Sequence, residues 1–181
     1  MEHLIMHEKS RKTRESASYI NRLGQEYFVH QGMIKTGKPK YFASQKRDGA
    51  LARLPDGFVF GESINGIVTI QRPKSMLVPA ADLDLVKQSV AKFQHLKSYR
   101  VEPKGKAILI YAPMAAEHMT RSIQYEPVLK FTFDPSLGEY QVERRCYRGE
   151  EHWLTVGYGK LEKMLKQFVR HIGKESFFEL M

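Results

Sequence analysis

Apolar side chains recur at every second position through most of this chain, and at a helical spacing of roughly 3.6 residues in only two stretches. Period two sends alternate side chains to opposite faces of an extended strand, so the pattern dictates paired strands rather than a helical bundle. Short glycine-containing connections set the pairing. Tyr27 to Gly32 and Lys40 to Gln45 flank Lys35-Thr36-Gly37-Lys38, and Phe58 to Glu62 and Ile67 to Arg72 flank Asn65-Gly66. Asn-Gly predicts a type I′ turn, whose two central residues both take positive φ. Tyr99 to Glu102 and Lys106 to Tyr111 flank Pro103-Lys104-Gly105, and Val128 to Phe133 and Glu139 to Tyr147 flank Asp134 to Gly138. These are read as the third and fourth hairpins.

The first helical stretch starts near Pro79 and ends around His95, with Leu83, Val86, Val90 and Phe93 on one face and Asp82 and Asp84 at the positive end of the dipole. In the second, Leu161, Met164, Leu165, Phe168, Val169 and Ile172 form the apolar stripe, and Gly173 is expected at C′. Pro73, Lys74, Ser75 and Pro79 interrupt the pattern and mark a boundary over 74–79. The expected fold class is therefore α+β, with antiparallel β-hairpins and two amphipathic helices packed on the sheet. Residues 1–74 make a basic N-terminal arm and β-meander, and residues 80–181 a helix-hairpin-hairpin-helix unit.

With 42% hydrophobic and 27% charged residues, the composition is that of a folded chain rather than a disordered one. Its longest apolar runs, such as Ala107 to Met114, fall far short of the roughly 20 residues that a membrane helix needs, and no membrane partner is expected. The N-terminus lacks the apolar core of a secretory signal, and a single cysteine, Cys146, permits no internal disulfide, so the cytoplasm is the expected compartment.

Net charge is +9, and from Lys9 to Arg53 eleven basic residues face three acidic ones. Within that segment cations interleave with aromatics. Arg11, Lys12 and Arg14 form an arm, and Lys35, Lys38, Lys40, Tyr41, Phe42 and Arg47 sit in and around the first hairpin. Such a mixture neutralises phosphates and stacks bases, so DNA or RNA is the first expected partner, with Tyr41 or Tyr27 stacking. A solvated hairpin with a basic terminus accounts for the same residues, and an acidic protein is the alternative partner. A third reading, an enzyme acting on an anionic substrate through the Arg144 to Trp153 region, requires a pocket where Arg144, Arg148 or Cys146 meets His152.

Other motifs carry less. Gly32 to Lys38 matches the spacing of a phosphate-binding loop, but Pro39 stands where a Ser or Thr must hold Mg²⁺, and a strand follows where a helix is required. Gly157, Gly159 and Lys160 precede the second helix and form a candidate anion site, although such a turn needs small residues for steric reasons alone. His3 and His7 share a helical spacing without an evident third ligand. Cys146 lies among arginines that would favour a thiolate, yet a lone strand cysteine has a packing role to fill. No catalytic group, metal site or cofactor is expected.

Tyr27 to Gly32, Lys35 to Phe42 and Leu54 to Phe58, together with Cys146 to Gly149, Trp153 and Gly173 to Phe178, resemble segments of a group of uncharacterised bacterial proteins. The resemblance implies a bacterial cytosolic protein and brings no activity, ligand or catalytic residue.

Overall fold

A computed structural model describes residues 17–114, 123–146 and 152–180 of the chain. By internal contacts the chain divides into two units, Met1–Pro73 and Lys74–Met181. Every pair of strands in either unit is antiparallel, so the fold is α+β.

In the first unit, β1 (Ser18–Ile20), β2 (Glu26–Met33) and β3 (Pro39–Ser44) form a sheet in that order, and β4 (Val59–Glu62) pairs with β5 (Val68–Gln71). Glycine fixes the turns. The loops ending at Gly24, Gly37 and Gly66 share one geometry, in which the glycine amide reaches the carbonyl three residues back and the flanking residue closes the hairpin. In the second hairpin Gly66 N bonds Ser63 O at 2.9 Å and Ser63 N bonds Ile67 O at 2.9 Å. Gly66 has φ 78°, while no described residue other than glycine has positive φ. The connection is thus a type I turn with a G1 bulge, not the expected type I′ turn, because only the glycine and not Asn65 adopts the left-handed conformation.

The first unit's core is small. Val29 is fully buried, Tyr41 meets Phe58 edge-on at 5.1 Å, and Tyr19 stacks on Phe60 at 5.4 Å. Around Tyr19 a polar knot ties β1 to β4. Its hydroxyl and the Arg22 guanidinium and amide converge on Glu62 at 2.8 to 2.9 Å. Burial raises the Glu62 pKa, but the Arg22 amide, the Tyr19 hydroxyl and the Arg22 charge outweigh it and hold the carboxyl below its ordinary range. Buried Asn21 reaches from one hairpin loop to the other, donating to Gly66 O at 2.8 Å.

The second unit opens with α1 (Ala80–Ala91) and a 3₁₀ turn at Gln94–Leu96. It continues through β6 (Arg100–Lys104), β7 (Ala107–Pro113), β8 (Tyr125–Asp134), β9 (Glu139–Arg145) and β10 (Trp153–Gly159) to α2 (Leu161–Phe168). These five strands lie side by side in chain order. Periodicity predicts two hairpins here and no fifth strand. A bulge between Thr155 and Gly157 breaks the alternation of β10, and its two glycines read as a turn.

Turn chemistry also moves the β6–β7 connection. Gly105 and Lys106 form a two-residue loop with φ 61° at the glycine, the type II′ arrangement, so Pro103 lies within β6 opposite Ile108 rather than in the turn. Pro103 is tolerated because β6 is an edge strand. Similarly, α2 passes into a 3₁₀ turn at Val169–His171, and Ile172 is extended. Gly173, at φ 79°, directly follows this C-cap and holds the C′ position expected of it, at the end of the 3₁₀ extension rather than of α2 itself.

A single buried cluster joins Ile108, Ile110, Leu129, Phe131 and Val142 of the strands to Val86 and Val90 of α1 and Leu161, Met164, Leu165 and Phe168 of α2. The i, i+3, i+4, i+7 spacing in α2 gives that helix its apolar stripe, whereas α1 buries only two residues one turn apart. Among the described residues no helix is long and apolar enough to cross a membrane.

Candidate nucleic-acid interface

The β2–β3 hairpin presents two unlike faces, and its register says which residue lies on which. Phe28 pairs with Ser44, His30 with Phe42 and Gly32 with Lys40, and these side chains share one face. Val29 with Ala43 and Gln31 with Tyr41 occupy the other. That second face carries the fully buried Val29 and the Tyr41–Phe58 contact, so Tyr41 is committed to the packing of the unit.

Phe42, its neighbour, points the opposite way and is 42% exposed. Its ring lies parallel to His30 at 5.5 Å and leans over Gly32, where an added Cβ would stand 3.5 Å from the ring. His30 is itself buried, with Nε2 2.8 Å from the Lys46 carbonyl, and so acts as a platform that fixes Phe42 rather than as a contact surface. At the far end the Arg47 guanidinium sits over the Phe28 ring, 5.9 Å from its centroid.

The cations divide between the two ends of the hairpin. Lys35, Lys38 and Lys40 cluster at the turn, and Lys46 and Arg47 follow β3 at its other end; all five are exposed. Lys40 lies in β3 and Lys46 beyond its end, past a bend at Gln45 that turns the Lys46 carbonyl toward His30, with Phe42 between the two lysines along the chain. None of Lys35, Lys38, Lys40 or Arg47 forms an ion pair with a carboxylate among the described residues. Arg22, by contrast, is taken up by Glu62. Arg11, Lys12 and Arg14 lie outside the described residues, as do His3, His7 and Arg148.

The glycines before α2 have steric work. A Cβ at Gly157 would fall 2.8 and 2.9 Å from ring atoms of Phe168, and one at Gly159 3.3 Å from Met164 Cε. Lys160 turns to the β8–β9 connection, donating to Gly138 O at 3.2 Å. Arg144 is buried and gives Nε and Nη2 to the carbonyls of Leu180 and Phe178 at 2.9 and 2.8 Å, which secures the C-terminal segment. Cys146 and His152 meet through the backbone, at 3.2 Å. Among the described residues no group of three or more His, Cys, Asp or Glu side chains could hold a metal ion.

Phe42 is the residue that the sequence reading passed over in favour of Tyr41. Alternation already groups Lys40 with Phe42 and sets Tyr41 apart, but that Tyr41 packs while Phe42 stays exposed depends on Phe58, distant in sequence. Compared with known proteins, the chain matches no family model, no curated protein and no solved structure.

Proposed function

We propose that the first unit binds single-stranded nucleic acid along the β2–β3 hairpin, with Phe42 as the stacking group and Lys35, Lys38, Lys40 and Arg47 neutralising phosphates. The carrying observation is an exposed ring, held in place by a buried histidine, between two groups of cations that lack carboxylate partners among the described residues. An aromatic face accepts any base, and flanking cations follow the backbone, so such a surface favours unpaired strands without reading their sequence. The second unit completes the reading as a body whose two helices cover one face of its sheet, in keeping with their shared buried cluster. A cytoplasmic setting accords with the single cysteine.

Fluorescence anisotropy with labelled oligonucleotides tests the proposal. Engagement of four phosphates gives a slope of log K against log salt of about −3 on a single strand. Phe42→Ala should cost about 1–3 kcal/mol on single strands and little on duplex. Replacing Lys35, Lys38 and Lys40 by Glu should abolish binding with an unchanged melting temperature. A salt-independent response, or equal loss on duplex and single strand from Phe42→Ala, overturns the proposal.

A further inference from the structure

The five-stranded sheet has two unlike edges. β6 carries Arg100, Glu102, Pro103 and Lys104, and charge together with proline is a common guard of an edge strand. At the opposite edge β10, Trp153–Gly159, contains no charged residue and no proline. Leu154, Thr155 and Tyr158 of that strand are exposed.

The register with β9 identifies the backbone groups of β10 that have no work inside the sheet. The Cys146 amide donates to the His152 carbonyl at 3.2 Å, which makes those two residues a bonded pair. Antiparallel pairs alternate between bonded and non-bonded, so Leu154, opposite Arg144, exchanges bonds with β9. Trp153 and Thr155, opposite Arg145 and Glu143, turn their N–H and C=O groups to the open side. Among the described residues no backbone or side-chain group bonds them there. Val156 is the extra residue of the bulge and resets the alternation beyond this point. Trp153 is held in place from its own sheet, with the Lys130 ammonium 4.5 Å from the ring centroid.

We propose that β10 pairs with β10 of a second copy of this chain, antiparallel about a twofold axis at Leu154. In this register Trp153 stands opposite the partner's Thr155, and Thr155 opposite the partner's Trp153, so the outward groups of both residues are satisfied on both sides. The two Leu154 side chains meet at the axis in a non-bonded pair, the closer kind, and each indole faces a β-branched threonine. A register centred further along the strand runs into the bulge at Val156. The occupant is a second copy because the strand has no charge with which to select a partner of opposite sign, and because a patch that complements itself closes at two chains. With β6 guarded, the joined sheet ends there.

Sedimentation equilibrium of the unmodified full chain, from micromolar to millimolar concentration, tests the pairing. The weight-average mass should climb from that of one chain toward that of two. Thr155→Pro deletes an outward amide and leaves the bonds to β9 intact, so it should hold the mass at one chain throughout. Thr155→Val keeps the amide and should associate as the unmodified chain does. Amide exchange of the unmodified chain gives a reading that needs no variant. Trp153 and Thr155 should exchange fast when dilute and roughly tenfold more slowly when concentrated, with Leu154 slow in both. A chain that stays single at millimolar concentration, association untouched by Thr155→Pro, growth past two chains, or exchange at Trp153 and Thr155 that ignores concentration would each overturn the proposal. Exchange decides the matter even where Thr155→Pro fails to fold.

Discussion

Tyr140 is 2% exposed and donates its hydroxyl to Asp82 in the first turn of α1 at 2.6 Å. Burial, then the hydrogen bond and charge of Asp82, raises the phenol well above its ordinary value of 10.0. The fold therefore favours the protonated form. Its contribution to stability is complete below about pH 10 and declines as pH climbs toward the folded pKa, because the unfolded chain loses its proton first. Chemical denaturation at rising alkaline pH should show this decline, and Tyr140→Phe should flatten it. The place of Asp82 at the positive end of the helix dipole is legible in the sequence; its phenol partner, far along the chain, is not. Gly157 makes the complementary case. A methyl group there would meet the buried Phe168 ring, so Gly157→Ala should cost about 1–3 kcal/mol in urea unfolding, as an overpacked core does.

Hairpin positions were legible because a glycine that ends a loop marks it in any register, and Gly37, Gly66 and Gly138 all do so. Turn type was less so. The pair Asn65-Gly66 is compatible with two geometries, and the difference lies in whether the residue before the glycine also turns left-handed. Gly37 and Gly66 share the same loop geometry and almost the same φ, 78° in both, but not the same surroundings. Nothing stands within 4 Å of a Cβ at Gly37, whereas one at Gly66 would lie 2.8 Å from Leu23 Cδ1. Gly37→Ala should thus cost only the backbone term of about 1–2 kcal/mol. Gly66→Ala should cost more, with the excess measuring how closely the two hairpin loops dock; equal melting temperatures would contradict that docking. Strand β1 escaped notice because three residues cannot display an alternation, and β10 because its bulge resets the parity.

Charge, taken over the whole molecule, is a poorer guide than its concentration between Lys9 and Arg53 suggests. Residues 1–73 hold twelve basic and seven acidic side chains and residues 74–181 seventeen and thirteen, so both units are basic to a similar degree. Among the described residues Arg22, Lys130 and Lys160 have carboxylates beside them, while the cations around Phe42 form no ion pair and neither do Lys92, Lys104 and Lys166 of the second unit, so what marks the hairpin is the exposed ring among its cations. Sequence order could nominate the hairpin cations but not show that they flank an exposed ring. Pro103 has an effect at the same scale. With Lys104 and Ala107 closing the two-residue turn, Pro103 and Ile108 form the next pair, the kind that exchanges no backbone bonds, so the imide nitrogen is turned away from β7. A second molecule trying to zip its own strand along β6 would meet a gap in the row of donors, and fibre-like templating is blocked there by covalent structure instead of by charge.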